Sequence, residues 1–261
     1  MKVCFIGGGN IAQAIIEGML KANFPPKEII CVERNQEKIA LLKDKEIEVK
    51  SLACLSEDAF DLIVLAVKPK DALAVANDIK DLAPNTSILT VVAGIGIAKY
   101  PDSDAIIRSM PNTASAFNKG ITALYAKDKQ TPAFKDACKL FEMVGSIMIM
   151  EDEDDIHTFT SIIGSGQAFL FKVLNVYLEE LKSLNKENNE QAINSFKDFV
   201  SSLGDLFSKE RDFEILINKI KSPGGTTQAG LESLEDNKID VIIKDAFKAA
   251  KKRSIQISDE N

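Results

Sequence analysis

The chain has 261 residues, of which 45% are hydrophobic and 27% are charged, and its formal net charge is −7. A chain of this length can form one large domain or two smaller ones. The negative charge provides no basic footprint for nucleic acid or for an anionic membrane. No run of about eighteen apolar residues and no signal peptide are found, so we expect a cytoplasmic protein without a membrane span.

The first strand pattern leads into a glycine-rich turn. Val3 to Ile6 is an apolar run without alternation, which predicts a buried parallel strand. Gly7, Gly9 and Ala12 then fit the G-x-G-x-x-G/A dinucleotide fingerprint, and a helical pattern follows. Gly7 would make the tight turn, Gly9 would let a pyrophosphate approach the backbone, and Ala12 would permit close helix packing. An ordinary glycine turn is the alternative, but this position between strand and helix favours nucleotide binding.

A second strand, from Glu28 to Val32, ends at Glu33-Arg34, about where a ribose-reading acid is expected. The Glu33 carboxylate would accept hydrogen bonds from a ribose 2′-hydroxyl and favours NAD. The Arg34 guanidinium would bind a 2′-phosphate and favours NADP. Both side chains could also be ordinary surface residues, and the sequence leaves the choice open.

Strand and helix patterns continue to alternate up to residue 150, which predicts a doubly wound α/β sheet over residues 1–151. Strand patterns cover 46–49, 61–67, 87–92, 104–108, 121–125 and 146–150, and helix patterns include 36–42 and 132–144. The four cysteines, Cys4, Cys31, Cys54 and Cys138, form no C-x-x-C pair and are interpreted as buried thiols of a reducing compartment. No metal-ligand grouping is found.

After the acidic run 151–155 the strand patterns stop, which predicts an all-helical domain over 152–261. Helices are expected over 156–184, interrupted at Gly164-Ser165-Gly166, and over 192–207 and 210–220, with a polar stretch at 183–191. These segments suggest no globular core of their own. We therefore expect the helical domain to contribute substrate contacts and to pair with another chain.

The stretch Ser222-Pro223-Gly224-Gly225-Thr226-Thr227 interrupts the helices, and an apolar helical pattern resumes after it. Thr226 or Thr227 occupies the position of a helix N-cap. A glycine turn before a helix offers unpaired N–H groups to a small anion such as a carboxylate. A plain helix-to-helix turn is the alternative reading.

Together these residues resemble the pyrroline-5-carboxylate reductase family, and the resemblance covers nearly the whole chain in order. The Ser-Pro-Gly-Gly-Thr-Thr stretch is its most specific motif. The other motifs are Gly7-Gly8-Gly9-Asn10-Ile11-Ala12, Ala66-Val67-Lys68-Pro69, Ala93-Gly94, Arg108-Ser109-Met110-Pro111-Asn112-Thr113 and Gly164-Ser165-Gly166. The resemblance implies a Rossmann-type domain, a helical dimerisation domain, and reduction of 1-pyrroline-5-carboxylate to L-proline. NADPH is the expected coenzyme and NADH the alternative, without a metal.

The resemblance also implies the site residues. The coenzyme would lie on the fingerprint and on the ends of later strands, so the coenzyme set is Ile6, Gly7, Gly8, Gly9, Asn10, Ile11, Glu33, Arg34, Ala66, Val67, Lys68, Pro69, Ala93, Gly94, Met110, Pro111, Asn112 and Thr113. Thr227 would hydrogen-bond the ring nitrogen of the substrate as the catalytic residue. The substrate set is Glu210, Ser222, Gly224, Gly225, Thr226 and Thr227. Two chains would interlock as a homodimer, with a ring of dimers as a further possibility.

Departures from the family pattern are local. Gln167 and Ala114 stand where the family usually has proline, which loosens the backbone but removes no reacting group. His157, the only histidine, has no matching role. A 3-hydroxyacid dehydrogenase is the alternative enzyme, but Lys172 and Asn175 lie at the wrong helical spacing after Gly166 to supply its base. A non-catalytic, coenzyme-binding homologue is the third alternative.

Overall fold

The computed structural model describes residues 1–184 and 188–260. Its first part contains one eight-stranded sheet with the strand order β3-β2-β1-β4-β5-β6-β7-β8. The strands are β1 (Val3–Ile6), β2 (Ile29–Val32), β3 (Glu48–Lys50), β4 (Leu62–Leu65), β5 (Ile88–Thr90), β6 (Ile106–Met110), β7 (Gly120–Tyr125) and β8 (Gly145–Ile149). The helices between them are α1 (Asn10–Lys21), α2 (Gln36–Lys43), α3 (Cys54–Glu57), α4 (Pro69–Leu82) and α5 (Pro132–Met143).

The sheet is parallel except where β7 pairs antiparallel with β6. The chain runs outward from β1 through β2 to β3, and then continues on the other side of β1 with β4. The order of the strands therefore reverses between β1 and β4, which is the switch point where doubly wound sheets bind ligands. The predicted doubly wound sheet is confirmed.

The apolar run of β1 is explained by burial on both faces of the sheet. Val3 and Phe5 belong to one buried cluster, and Cys4 and Ile6 belong to the cluster on the opposite face, as the two-residue period of a strand requires. Ile15 of α1 lies in the first cluster and is fully buried. Burying a side chain of this size contributes about 1.5–3 kcal/mol, so helices on both faces hold the sheet together.

From residue 155 onward the described residues form helices and the short connections between them. The helices are α6 (Asp155–Phe159), a π-helical turn (Thr160–Gly164), α7 (Gly166–Leu184), α8 (Asn189–Lys209), α9 (Phe213–Ile220), α10 (Thr226–Asp236) and α11 (Ile239–Glu260). The predicted polar stretch 183–191 lies partly outside the described residues. By contacts, residues 1–165 and those from 249 onward form one compact unit, and residues 166–248 form a second. The domain boundary at 151/152 stays a prediction.

The helices of the second unit expose much apolar surface. Leu170, Phe171 and Val176 of α7 are 58%, 66% and 58% exposed. Within the unit the ring of Tyr177 on α7 stacks on Phe199 of α8, with centroids 6.3 Å apart. A soluble single chain rarely exposes apolar faces of this size, so these faces have the character of a protein-protein contact.

By length and composition, residues 155–184 could also cross a membrane, with a mean hydropathy of 1.2 over the most apolar window. The expectation of a protein without a membrane span stays a prediction. One such helix is weak evidence for a membrane, since the apolar face of a helix that pairs with another chain has the same composition.

Candidate active site

A groove of about 810 Å³ lies at the carboxyl ends of β1, β2 and β4, at the switch point of the sheet. Many residues of the predicted coenzyme set line it: Ile6, Gly7, Gly9, Asn10, Glu33, Arg34, Ala66, Val67 and Lys68. Residues far apart in sequence therefore meet at one edge of the sheet. The groove is the candidate coenzyme site.

The two glycines of the fingerprint have different structural roles. Gly7 has φ +102°, and a Cβ atom there would lie 2.7 Å from the carbonyl oxygen of Ala66, so only glycine fits. Gly9 has ordinary backbone angles, and a Cβ atom there would meet nothing closer than the Ala66 oxygen, at 3.9 Å. The space beside Gly9 is thus open, as the approach of a pyrophosphate requires. Ala12, in the first turn of α1, is fully buried.

Helix α1 begins with free donors facing this open space. Gly9 is its N-cap and supplies no capping side chain, and the first helical hydrogen bond runs from the Gln13 N–H to the Gly9 oxygen at 2.9 Å. The N–H groups of Asn10, Ile11 and Ala12 consequently have no acceptor one turn earlier in the helix. These N–H groups and the positive end of the helix dipole suit a bound diphosphate. A dinucleotide fits the groove in this respect.

The Glu33 carboxylate is bound to the backbone around it. Its Oε2 accepts the N–H of Gly8 at 2.8 Å, and its Oε1 accepts those of Arg34 and Asn35 at 2.7 and 2.9 Å. The ammonium of Lys38 lies 3.7 Å from Oε2. Burial raises the pKa of Glu33, but the backbone hydrogen bonds and Lys38 outweigh it and hold the pKa below its usual value. Glu33 is a charged anchor for the fingerprint loop.

Three cationic side chains line the neighbouring space together with Glu33. A second cavity of about 450 Å³ beside the end of β2 is lined by Arg34, Lys43 and Lys50 among others. Arg34 is exposed, and its backbone N–H rather than its guanidinium contacts Glu33. This basic rim lies where a Rossmann fold places the ribose 2′-position.

Sequence reasoning missed two side chains that support the fingerprint loop. The amide of Gln13 donates to the Gly8 oxygen at 2.9 Å, and Lys38 approaches Glu33 from the first turn of α2. Both lie one helical turn after a loop that they stabilise. That spacing is the only signal in the sequence, and it is shared by many surface residues.

The rest of the predicted coenzyme set lies at other turns of the sheet. Lys68 is the N-cap of α4, and Pro69 is its first residue, a position proline favours. Gly94 follows β5 with φ +74°, and a Cβ atom there would clash with Ile257 of α11. Asn112 follows β6, and its Oδ1 accepts the N–H of Ile121 at 3.2 Å. The ends of β5 and β6 lie at the same sheet edge as those of β1 and β4.

The predicted substrate loop lies in the second unit, before α10. Gly224 has φ +69° and donates to Gln228 Oε1 at 2.9 Å, and the Gly225 N–H donates to the Ser222 oxygen at 3.0 Å. Gly225 is the N-cap, so the prediction of a threonine N-cap is wrong: Thr226 is already the first helical residue. The tight turn with Ser222 makes the helix start one residue earlier than an N-cap at Thr226 would.

The donors left over at this helix lie in its first turn. The first helical hydrogen bond runs from Ala229 to the Gly225 oxygen at 3.2 Å. The N–H groups of Thr226, Thr227 and Gln228 thus have no acceptor one turn earlier. The Gly225 N–H is used within the turn. The unpaired N–H groups expected of this loop therefore lie at the start of α10.

Glu210 lies at the end of α8, also in the second unit. Its carboxylate accepts the N–H of Asp212 at 3.2 Å and lies 3.7 Å from the Lys219 ammonium. Asp212 lies in the connection between α8 and α9, and Lys219 lies in α9, so neither partner belongs to the substrate loop.

All four cysteines are free thiols. Cys4, Cys31 and Cys54 are buried, as the sequence interpretation expected, whereas Cys138 is half-buried. Burial raises the pKa of Cys31 to about 12 and that of Cys4 further, so neither provides a thiolate. Over residues 1–184 and 188–260, no cluster of three or more His, Cys, Asp or Glu side chains could hold a metal ion.

His157 is buried, and its Nδ1 lies 2.9 Å from the Ser254 hydroxyl of α11. Burial lowers the pKa of His157, and the positive charges of Arg108 and Lys251 lower it further. The acids Asp154 and Glu153 raise it but do not outweigh these effects. His157 is a buried, packed histidine.

The fold and the open fingerprint define the class: a dinucleotide-binding Rossmann protein with a helical second part. The sequence model described as pyrroline-5-carboxylate reductase dimerisation matches residues 153–257, and that described as NADP oxidoreductase coenzyme F420-dependent matches residues 2–94. The chain is 31% identical over 278 residues to pyrroline-5-carboxylate reductase 1 of Bacillus spizizenii, covering 99% of this chain and 90% of that protein. The chain belongs to the pyrroline-5-carboxylate reductase family.

Two further comparisons agree. A pyrroline-5-carboxylate reductase of Pasteurella multocida is 30% identical over 270 residues, covering 98% of this chain and 97% of that protein. A solved pyrroline-5-carboxylate reductase from Coxiella burnetii has a TM-score of 0.85 at 26% identity and covers 98% of both chains. The likeness extends through both the sheet and the helices, so the family prediction is confirmed over the full length.

Proposed function

We propose that this chain reduces 1-pyrroline-5-carboxylate to L-proline with NADPH as the preferred hydride donor and NADH as the weaker one. The observation that carries the assignment is the full-length likeness to pyrroline-5-carboxylate reductases. Two separate features support it. One is a helix N-terminus in the first unit that is open to a diphosphate, and the other is a helix N-terminus in the second unit that is open to a carboxylate.

The bound coenzyme supplies the hydride that reduces the C=N carbon. The N–H groups at the start of α1 hold its diphosphate, while Gly7 and Gly9 keep the groove clear of side chains. Ala66 to Pro69, Ala93-Gly94 and the Met110 to Thr113 turn form the wall nearer the nicotinamide. The protein contributes alignment and electrostatics rather than a reactive side chain.

The preference for NADPH rests on the division of roles between Glu33 and Arg34. The Glu33 carboxylate accepts three backbone N–H groups, which leaves little capacity for a ribose hydroxyl. The Arg34 guanidinium is exposed beside a basic cavity and is available to a 2′-phosphate. Glu33 therefore supports the loop, and Arg34 selects the coenzyme.

Substrate binding is assigned to the Ser222 to Thr227 loop. The N–H groups of Thr226, Thr227 and Gln228 hold the substrate carboxylate at the positive end of α10. The Thr227 hydroxyl accepts or donates the hydrogen bond that the ring nitrogen needs as it gains its proton. Ser222, Gly224 and Gly225 shape the turn, and Glu210 contributes from the end of α8.

The active form is proposed to be a cytoplasmic homodimer, in which the exposed apolar faces of α7 to α11 are buried by a second copy. The match of residues 153–257 to a dimerisation family supports this arrangement. Pairing would account for the apolar character of residues 155–184 without a membrane. Rings of dimers are a further proposal, and neither nucleic acid nor a membrane is needed.

The test is coenzyme oxidation in the presence of pyrroline-5-carboxylate, compared with reduction of NADP⁺ or NAD⁺ by 3-hydroxyisobutyrate. The proposal expects turnover in the first assay and none in the second. Turnover only in the second would assign a 3-hydroxyacid dehydrogenase, and coenzyme binding without turnover in either would assign a non-catalytic homologue.

A further inference from the structure

We infer that Glu153 is a positioning residue for the coenzyme groove, because its carboxylate ties the segment after β5 to a buried arginine of β6. The inference rests on the proposed function, since it concerns the groove assigned there to the coenzyme. Glu153 belongs to the acidic run before α6, outside the coenzyme and substrate sets.

The geometry places one carboxylate oxygen between two segments of the sheet edge. Oε1 of Glu153 accepts Nη1 of Arg108 at 2.7 Å and the backbone N–H of Ile97 at 2.8 Å. A Cβ atom on Gly96 would lie 3.5 Å from the same oxygen, so the loop backbone runs close to the carboxylate. Glu153 therefore fixes the loop and the strand with a single group.

The contact between Glu153 and Arg108 is important because the Arg108 side chain is buried. Its side chain is 2% exposed, whereas that of Glu153 is 24% exposed. Among the described residues, Nε and Nη2 of Arg108 are buried without a hydrogen-bond partner. The guanidinium charge thus depends on Glu153, and removing one partner of a buried ion pair is far more costly than removing a surface pair.

The two tied segments are those assigned to the nicotinamide side of the groove. Ile97 lies three residues after Gly94, and Arg108 lies two residues before Met110. Ile95 and Ile97 are buried, at 0% and 1% exposure, and hold the other side of the loop in the core. A shift of Glu153 would consequently move the turns after β5 and β6, which the proposed function assigns to the nicotinamide, while leaving the α1 donors in place.

The experiment compares Glu153→Gln and Glu153→Ala with Glu151→Gln in the full-length enzyme. Glutamine keeps an acceptor for the Ile97 N–H but loses the charge that Arg108 needs, and alanine loses both. Glu151 is the matched control, because its ion pair with Lys129 is on the surface and its side chain is 89% exposed. A surface pair of this kind contributes little.

We expect the KM for NADPH to rise about tenfold in Glu153→Gln, or ~1.4 kcal/mol, and further in Glu153→Ala, with the pyrroline-5-carboxylate KM nearly unchanged. Glu151→Gln should match the parent. Thermal stability should fall in both Glu153 variants because Arg108 loses its partner, so the coenzyme KM decides: a lower kcat at an unchanged coenzyme KM in folded Glu153→Gln would overturn the inference. Failure of the proposed function would appear separately, as a parent enzyme without activity.

Discussion

The backbone N–H of Gly8 donates to the Glu33 carboxylate at 2.8 Å, which joins the fingerprint loop after β1 to the end of β2. The sequence places these residues 25 positions apart and suggests a ribose contact for Glu33. The structure instead gives the carboxylate a backbone role, since it also accepts the N–H groups of Arg34 and Asn35. We therefore propose that Arg34 selects the coenzyme.

Replacing Arg34 tests this division of roles. Arg34→Ala should weaken NADPH binding by about 1.5–3 kcal/mol, the worth of a hydrogen bond to a charged group, and should leave NADH binding nearly unchanged. Glu33→Ala should weaken both coenzymes alike, because it loosens the loop that both share. Titration of both variants with both coenzymes measures these effects. A selective loss of NADH in Glu33→Ala would show that Glu33 reads the ribose after all.

The open space beside Gly9 gives a second prediction. Gly9→Val should raise the Kd for either coenzyme at least about 100-fold, or ~2.7 kcal/mol, because its side chain would occupy the pyrophosphate position. The fold should persist, since the nearest protein atom to a new Cβ is 3.9 Å away. Gly204→Ala is the control, because a Cβ atom there in α8 meets nothing within 4 Å. Unchanged coenzyme affinity in Gly9→Val would place the groove elsewhere.

The hydroxyl of Thr227 is tested by two matched changes. Thr227→Ala should lower kcat/KM for the imine acid roughly ten- to a few hundred-fold, as expected for one hydrogen bond in a water-poor site. Thr227→Ser keeps the hydroxyl and should recover much of the loss, and coenzyme affinity should be unchanged in both. Steady-state kinetics with substrate varied at saturating NADPH measure this. A Thr227→Ala enzyme that works at the parent rate would reduce the loop to an ordinary turn.

Gly225 should tolerate substitution less well than any other residue of the loop. A Cβ atom there would clash with the Ser222 hydroxyl and lie 3.1 Å from the Ser222 oxygen. Gly225→Val should therefore distort the turn and misplace the donors of α10, with a larger loss of kcat/KM than Thr227→Ala. Coenzyme binding, measured on the same variant, should remain at the parent value. A milder effect than Thr227→Ala would mean that the turn is not needed to present those donors.

His157 predicts a dependence of stability on pH. Its pKa in the folded chain is below the unfolded value of 6.5, chiefly because of burial. As pH falls through about 6.5 the unfolded chain binds a proton that the folded chain does not, so stability falls by at most ~1.4 kcal/mol per pH unit. Urea unfolding at about pH 7.5 and about pH 5.5 measures the change. His157→Gln should flatten this slope, and an equal slope in both proteins would assign it to other groups.

Local patterns predicted the sheet well because each signal was short-range. The apolar run of β1 is buried on both faces, and Gly7 has the positive φ that a tight turn needs. The fingerprint and the strand ends come together because parallel strands present their carboxyl ends at one edge. The predicted doubly wound sheet followed from these signals alone.

Long-range hydrogen bonds explain what the sequence could not predict. The role of Glu33 depends on the Gly8 N–H, and the pairing of Glu153 with Arg108 joins residues 45 positions apart. The N-cap of α10 is Gly225 and not a threonine, because the hydrogen-bonded turn with Ser222 sets the start of the helix. Neither a composition nor a periodicity signal reports contacts of this kind.

NADPH oxidation by the purified chain with pyrroline-5-carboxylate, with proline measured as the product, tests the proposed reaction most directly. We expect one proline formed for each NADPH oxidised, faster than with NADH, and a rate that falls in Thr227→Ala and in Gly9→Val. No NADPH oxidation with this imine acid, in a folded chain that binds the coenzyme, would contradict it.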